Sequence, residues 1–165
     1  YLALAEGDLS EANDSVFWKE IAIPLAPDPE NPMKMTISPD GLLPGSRNAV
    51  TYYKNIKSFG NVTLVELQLE TGRTHQIRVH MSGIGHPLLG DTMYNPRVCL
   101  KMSNSKEKKN TEGRINNRND CFKRAALHAW KLTFCHPFTD EIITLEAPLP
   151  DDFCRFLNAN EEEKT

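Results

Sequence analysis

The chain has 165 residues and a formal net charge of −3, with 19 lysines and arginines against 22 aspartates and glutamates. This length suits one domain, and the 39% hydrophobic and 25% charged residues are ordinary for a protein with a packed core. The composition excludes wholesale disorder, collagen-like repeats and a coiled coil, and no apolar run approaches the roughly 18 residues that a membrane span needs. The small acidic excess argues, taken alone, against a nucleic-acid partner, which usually requires a basic surface.

The average charge hides a strong partition along the chain. Residues 1–45 and residues 125–165 are both acidic, with eight acidic residues in each segment. Residues 95–124, in contrast, hold nine basic residues and only three acidic ones. Basic side chains are therefore concentrated in the middle of the chain, so the net charge is a poor guide to whether it binds nucleic acid.

The cysteines indicate a reducing compartment. The four of them include no C-x-x-C pair, and their spacing fits neither a disulfide framework nor a zinc site. We therefore expect free thiols and a cytoplasmic location, with an organellar matrix left open.

Strand signals dominate the first 70 residues. Short strands are predicted for residues 1–5, for residues 16–25, which end in a proline cluster, and for residues 33–37, which end in the turn sequence SPDG. Residues 50–56 and 62–69 flank the turn signal SFGN, and alternation in the second segment leaves one face wholly apolar. We expect these last two segments to form an antiparallel hairpin.

The periodicity changes after the second strand of this hairpin. Ile77, Met81 and Ile84 fall at i, i+4 and i+7, which is the spacing of a helical stripe that faces a core. We therefore predict a helix that begins after Thr74 as its N-cap and stops at Gly85.

The last third of the chain contains one irregular segment and further strand signals. Residues 95–123 have little apolar periodicity and are predicted to form a disordered basic insertion. Residues 125–135 and 141–146 read as two strands joined by the turn HPFTD, and residues 153–157 as a short helix capped by the aspartates before it. Strands with two short helices and no βαβ alternation predict an α+β fold built on a mostly antiparallel, mixed sheet.

Most side chains with reactive potential lie between residues 70 and 94. The start of the predicted helix presents free backbone N–H groups together with Arg73 and Arg78, which suits a phosphate or a carboxylate. The three histidines of this segment are spaced too unevenly to share one helical face, so no metal site is predicted. Residue chemistry alone predicts an anion site at a helix start, although an arginine on a short helix is more often solvated or salt-bridged.

A long motif at residues 71–94 resembles the third sequence motif of the RluA-type RNA pseudouridine synthases: it reads TGRTHQIRVHMSGIGHPLLGDTMY. Residues 1–7 resemble the tyrosine-containing strand motif of that family, and LHAWKLTFCHP with ITLEAPLPDDF resembles its closing hairpin and final helix. The resemblance covers nearly all of the chain except residues 8–20 and 95–123. It implies the pseudouridine synthase catalytic fold, with isomerisation of uridine to pseudouridine in structured ribosomal or transfer RNA and no cofactor or metal.

The resemblance implies roles for seven residues. Tyr1 would be a catalytic tyrosine that stacks on the flipped base and moves a proton, and Arg78 would pair with the nucleophilic aspartate and hold it ionised. Ile77 would form an apolar wall of the pocket. The other substrate-binding residues that the resemblance implies are Arg73, Thr74, His75 and Gln76.

The chain departs from the family at the nucleophile. In this family an aspartate within an H-R-L-D motif attacks the uridine, and no such motif occurs in these 165 residues. We therefore expect one partial catalytic domain, the later half, which alone has no synthase activity because its aspartate lies upstream. The alternative is a non-catalytic RNA-binding relative of the same fold. We further expect a monomer without metal or membrane association, whose segment 95–123 either contacts RNA or is a solvated surface expansion.

Overall fold

The computed structural model describes residues 1–9, 17–98 and 122–161. Within these residues every strand pairing is antiparallel, which confirms the α+β fold class with a mostly antiparallel sheet. The elements in chain order are β1 (Leu2–Glu6), β2 (Lys19–Ala22), β3 (Leu25–Pro27), β4 (Met35–Ile37), β5 (Val50–Ser58), β6 (Val62–Leu69), α1 (Gln76–Gly83), β7 (Leu127–His128), β8 (Lys131–Cys135), β9 (Ile142–Glu146) and α2 (Asp151–Glu161).

Five strands form the main sheet, in the order β2-β5-β6-β1-β7. Its centre is the β5–β6 hairpin, as the alternating sequence predicts, with a register shift between Asn55 and Lys57. Strand β1 pairs with β6 from Leu2, opposite Glu66, to Glu6, opposite Val62. All five residues of β1 are buried, because this short apolar strand is covered on both faces of the sheet.

Each face of the main sheet has its own apolar cluster and its own helix. The cluster under α1 includes Ala3, Ala5, Val65, Leu67, Ile77 and Met81, with Ile84 packed against it. The cluster under α2 includes Leu4, Phe59, Leu64, Phe122, Phe153 and Phe156. Successive strand residues thus face opposite helices, and the predicted core stripe of α1 is confirmed.

Helix α1 is shorter than predicted and begins differently. Its N-cap is His75, with a φ of 55°, so the prediction that Thr74 caps the helix is wrong. The reason lies in the first helical residue, Gln76. Its side-chain Oε1 accepts a hydrogen bond from the backbone N–H of Arg73 (2.9 Å), so this donor in the turn before the helix is satisfied. At the other end Gly85, with a φ of 86°, follows the helix and stops it as predicted.

Two predicted strands are each divided in the structure. Residues 16–25 were expected to be continuous, but Pro24 separates β2, in the main sheet, from β3, which pairs with β4 in a small second sheet. Proline has no N–H to donate, and the pairing of β2 with β5, whose last partners are Ala22 and Val50, ends before Pro24. Residues 125–135 likewise divide into two strands: β7 belongs to the main sheet, and β8 pairs with β9 in a separate two-stranded sheet. Helix α2 extends beyond the predicted 153–157 in both directions.

Three backbone segments meet beside β1. The N–H of Leu4 donates to the carbonyl of Ala126 (3.1 Å), that of Leu89 to Leu4 (2.9 Å) and that of Ala126 to Leu89 (2.8 Å). Next to this ring of hydrogen bonds Gly90 has a φ of 67°, and a Cβ there would lie 2.3 Å from the carbonyl oxygen of Arg124. Only glycine therefore permits the close approach of these segments.

The predicted insertion, residues 95–123, lies mostly outside the described residues, but both of its ends are described. Asn95 is fully buried, and its amide donates to Glu6 Oε1 (2.8 Å) and to the carbonyl of Leu88 (3.0 Å). Phe122 is buried in the cluster under α2. Asn95 and Phe122 therefore pack against the rest of the domain, and the prediction for the residues between 98 and 122 lies outside the described residues.

Candidate active site around helix α1

Gln76 fixes the turn between β6 and α1. Its Oε1 accepts hydrogen bonds from the Thr71 hydroxyl (2.8 Å) and the Arg73 N–H (2.9 Å). Its Nε2 donates to the carbonyl of Val50 (2.9 Å) and to the Thr51 hydroxyl (3.0 Å). This buried amide uses two acceptor and two donor positions within the protein. Gln76 therefore shapes the turn that carries Arg73.

A second buried polar link anchors the middle of α1. His80 is fully buried, with Nε2 2.8 Å from the carbonyl oxygen of Ile23 and Nδ1 2.9 Å from Thr51 Oγ1. Because a carbonyl only accepts, Nε2 carries the proton and Nδ1 accepts from the Thr51 hydroxyl. Burial lowers the pKa of His80, although its bond to Ile23 opposes this effect. Neutral His80 thus ties α1 to β5 and to the β2–β3 connection.

Arg78 and Asp91 form a bidentate ion pair on the outer side of α1. Arg78 Nε and Nη2 each lie 2.8 Å from one carboxylate oxygen of Asp91. Asp91 also accepts the backbone N–H groups of Met93 (2.9 Å) and Tyr94 (3.0 Å). Burial alone would raise the pKa of Asp91, but its bonds from Arg78 and from the two amides outweigh burial and hold the pKa below its ordinary value. An ionised Asp91 therefore holds the Arg78 guanidinium in one orientation.

Tyr94 closes the other side of this cluster. The Arg78 guanidinium stacks on its ring, 4.9 Å from the ring centroid. The Tyr94 hydroxyl accepts the Met35 N–H (2.9 Å) and lies 2.8 Å from His75 Nδ1. The Tyr94 carbonyl accepts a hydrogen bond from the Ser82 hydroxyl (2.8 Å). One residue thus connects β4 with the beginning, the middle and the end of α1.

His75 combines an unusual backbone with a neutral side chain. Its left-handed φ of 55° is uncommon for a residue other than glycine, although histidine is enriched there. Its side chain makes no capping hydrogen bond to the helix, and its ring meets the Tyr94 ring edge-on at 5.5 Å. Burial lowers the pKa of His75 and the Arg78 charge lowers it further, whereas Asp91 opposes both. The imidazole is therefore neutral at pH 7.

These contacts surround residues that a family model recognises. The model described as RNA pseudouridylate synthase matches residues 1–83, which include β1, the β5–β6 hairpin and all of α1. The chain belongs to this RNA pseudouridylate synthase family. The resemblance to RluA-type enzymes that the 71–94 motif indicates is thereby confirmed.

Bacterial relatives agree with this assignment. The chain is 38% identical over 157 residues to an uncharacterized RNA pseudouridine synthase of Bacillus subtilis, YlyB, a match that covers 95% of this chain and 42% of the relative. It is 47% identical over 116 residues to the ribosomal large subunit pseudouridine synthase D of Haemophilus influenzae, covering 70% of this chain and 34% of that protein. The chain thus spans less than half the length of either relative.

Solved structures of pseudouridylate synthase domains have the same fold. Human RNA pseudouridylate synthase domain containing 1 superposes with a TM-score of 0.62 at 26% identity, over 90% of this chain and 53% of that one. Human RNA pseudouridylate synthase domain containing 4 superposes with a TM-score of 0.67 at 23% identity, over 97% and 60% of the two chains, and at this identity shows the fold alone. The predicted pseudouridine synthase catalytic fold is confirmed.

The structure brings some of the predicted site residues together within this pseudouridylate synthase domain. Arg78 and His75 both contact Tyr94, and Gln76 accepts a hydrogen bond from the backbone of the turn that precedes α1. Arg73 is exposed, and its Nε donates to the carbonyl of Asn48 (3.0 Å), while Thr74 is exposed in the same turn. These side chains thus surround the first turn of α1.

Tyr1 and Ile77 form none of the hydrogen bonds or ring contacts described for this cluster. Ile77 is buried in the core between α1 and the main sheet. Tyr1 pairs with Leu67 of β6 through backbone hydrogen bonds of 2.8 and 2.9 Å, and its side chain is 37% exposed. Among the described residues, no hydrogen bond joins the Tyr1 side chain to α1. The part of the prediction that links Tyr1 with Arg78 therefore remains a prediction.

Asp91 and Tyr94 are the site residues that sequence reasoning missed. Both lie inside the 71–94 motif, but beyond the helical stripe, and no spacing rule relates a helical residue to a loop residue 13 positions later. One signal was present, because Asp91 is the single acidic residue in a motif with two arginines. Within the motif, only Asp91 could therefore form an ion pair with one of the arginines.

Two general features complete the description. Neither helix in the described ranges has the length and apolar character that a membrane crossing requires. Over the same ranges, no group of three or more histidine, cysteine, aspartate or glutamate side chains is arranged to hold a metal ion. The chemistry that α1 does present is a fixed guanidinium beside a neutral imidazole.

Proposed function

We propose that this chain is part of an RNA pseudouridine synthase that isomerises uridine to pseudouridine in structured RNA, either ribosomal or transfer RNA. Family membership supports the reaction, and the similarity to RNA pseudouridine synthases, one of which is named for the ribosomal large subunit, supports RNA as substrate. The observation that carries the proposal is that the Arg78 guanidinium is held in one orientation. Asp91 and Tyr94 fix its guanidinium, while its Nη1 makes no hydrogen bond to any described residue.

In the proposed mechanism an aspartate from outside these 165 residues attacks a uridine that has been flipped out of the RNA. The uracil is detached, turned and rejoined to the ribose through carbon. A carboxylate must be ionised to act as nucleophile, and a guanidinium within hydrogen-bonding distance favours the ionised form. Arg78 suits this role because Asp91 stops the guanidinium from swinging away, and the free Nη1 can bind a second carboxylate.

The other predicted site residues are proposed either to contact the uracil base or RNA backbone, or to hold the site in place. Tyr1 is proposed to stack on the extruded uracil, and its partial exposure supports this role because an aromatic face must be accessible to a base. Arg73 and Thr74 are exposed in the turn before α1 and are proposed to bind RNA phosphates. Gln76 and Ile77 are buried, and their packing supports a role in holding that turn and the pocket wall.

The first experiment replaces Arg78 in the full-length protein. A ribosomal RNA transcript labelled with tritium at uracil C5 is the substrate, since this hydrogen is released when C5 becomes the glycosidic carbon. We expect Arg78→Ala to reduce single-turnover release by about 10²- to 10³-fold, the effect of removing one positioned charge donor. Arg155→Ala, at an exposed arginine of α2, is the matched control and should retain activity. Release near the wild-type rate in Arg78→Ala would refute the assigned role.

The same assay separates the enzyme from its alternative. We expect the 165-residue chain alone to bind the transcript without releasing tritium, and release by this chain alone would contradict an external nucleophile. If the full-length protein binds ribosomal and transfer RNA but releases tritium from neither, the non-catalytic RNA-binding relative is the correct description.

We also propose a monomer that acts in the cytoplasm without metal or cofactor. The exposed free thiol of Cys135 supports a reducing compartment. Light scattering during size-exclusion chromatography measures the mass of the particle. Activity after dialysis against a chelator tests the independence from metal.

A further inference from the structure

The hydrogen bonds of Tyr94 determine which nitrogen of His75 carries a proton. The backbone N–H of Met35 can only donate, so it occupies one lone pair of the Tyr94 hydroxyl oxygen (2.9 Å). The hydroxyl hydrogen then needs an acceptor, and in the described part of the chain His75 Nδ1, at 2.8 Å, is the one within reach. Tyr94 therefore donates to Nδ1, which leaves the proton of a neutral imidazole on Nε2.

The opposite arrangement conflicts with the same contacts. If His75 donated from Nδ1, the Tyr94 oxygen would accept two hydrogen bonds and its own hydrogen would have no acceptor in a half-buried position. A doubly protonated His75 would also bring a second positive charge beside Arg78, three residues later on the helix. Asp91 cannot offset that charge freely, because Arg78 already occupies both of its carboxylate oxygens.

The charges around the pair keep both rings neutral. Burial and then Arg78 lower the pKa of His75, against the opposing influence of Asp91. Burial raises the pKa of Tyr94, with Asp91 and Asp28 adding to it, while its bond from Met35 and the charge of Arg78 oppose the rise. Neither ring therefore ionises near pH 7.

The backbone of His75 serves this contact. A left-handed residue at the start of a helix turns its side chain away from the helical N–H groups, and the structure shows no capping bond from His75. Instead the ring meets Tyr94 edge-on. The strained conformation therefore directs the imidazole to the phenol.

We propose that Tyr94 is a positioning residue that holds His75 as the neutral tautomer with its proton on Nε2, so that His75 offers RNA a single uncharged N–H donor beside the cation of Arg78. The ligand that suits this donor is an acceptor oxygen of RNA, and this part of the proposal rests on the proposed function. An uncharged donor can bind such an oxygen without weakening the hold of Arg78 on a carboxylate. His75 thus supplies an uncharged hydrogen bond, and Arg78 supplies the positive charge.

The tautomer is tested directly by NMR on the full chain labelled with ¹⁵N-histidine. Two-bond and three-bond ¹H–¹⁵N correlations distinguish the two neutral tautomers from the cation, and His75→Asn assigns the signals. We expect the Nε2-protonated pattern for His75 at pH 7 and at pH 8. A proton on Nδ1, or a doubly protonated ring at pH 7, would overturn the proposal without reference to any variant or to RNA.

Tyr94→Phe then tests whether Tyr94 is the cause. This change keeps the ring under Arg78 and removes only the hydroxyl, so we expect His75 to populate both tautomers. His80 is the internal reference, because its Nε2 proton is fixed by Ile23 and should not respond. A His75 pattern identical to that of the wild type would refute the role of the Tyr94 hydroxyl.

The RNA part is measured by binding to a large-subunit ribosomal RNA transcript, which needs no turnover. We expect full-length Tyr94→Phe to bind about twofold more weakly than wild type at pH 8, because only the fraction of His75 that keeps its proton on Nε2 can then donate to RNA. Equal affinity at pH 8 would overturn the RNA contact. Failure to form pseudouridine would instead refute the proposed function and leave the binding comparison intact.

Discussion

Helices α1 and α2 cover opposite faces of one sheet by different means. Helix α2 is held by aromatic packing, in which the rings of Phe122 and Phe153 meet edge-on at 5.5 Å and those of Phe59 and Phe156 at 5.6 Å. Helix α1 also buries an apolar stripe, but buried polar and charged bonds hold its beginning, its middle and its outer side. The helix that carries the candidate site is therefore the one held by buried titratable side chains, whereas the ion pair at the start of α2, between Arg124 and Asp152, is partly exposed.

The largest loss of stability is expected when the Phe153 ring is removed from the cluster under α2. Phe153 is fully buried, and we expect Phe153→Ala to lower the free energy of unfolding by about 4 kcal/mol because it leaves a large cavity. The loss should be nearly equal at pH 5 and pH 7, because Arg124, whose guanidinium lies 5.9 Å from the centroid of the Phe153 ring, stays charged at both values. Urea denaturation at both values measures it. Phe153→Leu, which fills much of the same volume, is the control with a smaller loss. A strong dependence of the loss on pH would contradict the contrast between the helices.

The corresponding change on the α1 side is Asp91→Asn. We expect it to lower the free energy of unfolding by about 2 kcal/mol at pH 7, because it weakens charge-assisted bonds to Arg78. The pKa of Asp91 is lowered in the folded state, so its contribution is present above the ordinary aspartate range and is lost as the pH falls through the folded value. The difference from wild type should therefore shrink below about pH 4.

Urea denaturation across this pH range tests the prediction for Asp91. Glu146→Gln is the control, because Glu146 forms an exposed ion pair with Lys131 and should change stability little. A difference between Asp91→Asn and wild type that stays constant down to pH 3 would show that folding does not lower the pKa of Asp91.

A smaller and more specific effect is expected at His80. Because burial lowers its folded pKa, the unfolded chain binds a proton first, and stability should fall as the pH drops below about 6.5. His80→Gln removes the titrating ring, so the variant should lose less stability between pH 7 and pH 5 than wild type does. Parallel stability profiles for the two proteins would show that His80 does not supply this pH dependence.

Local patterns predicted the elements well where neighbouring residues decide them. The alternation in residues 62–69 and the turn before it specify the central hairpin, and the stripe of Ile77 and Met81 specifies the buried side of α1. The division of residues 16–25 at Pro24 depends instead on which strand each part pairs with, and this is a long-range choice. A single segment does not contain that information.

The site shows the same division between local and distant information. Arg78 can be identified from its motif, but its partner Asp91 is brought to it by the chain between α1 and Gly90, which no periodicity describes. The helix start was assigned to Thr74 because threonine is a good cap by residue type. The structure uses His75, since Gln76 and Tyr94 supply contacts that residue type alone does not indicate.

The ring of hydrogen bonds among Leu4, Leu89 and Ala126 fixes both ends of the chain between residues 89 and 126 beside β1. Doubling the length of such a connection costs only about 0.6 kcal/mol of closure entropy. We therefore expect a longer connection between Arg97 and Phe122 to leave in place the helix that carries Arg78, because Asn95 and Phe122 are held by buried contacts of their own.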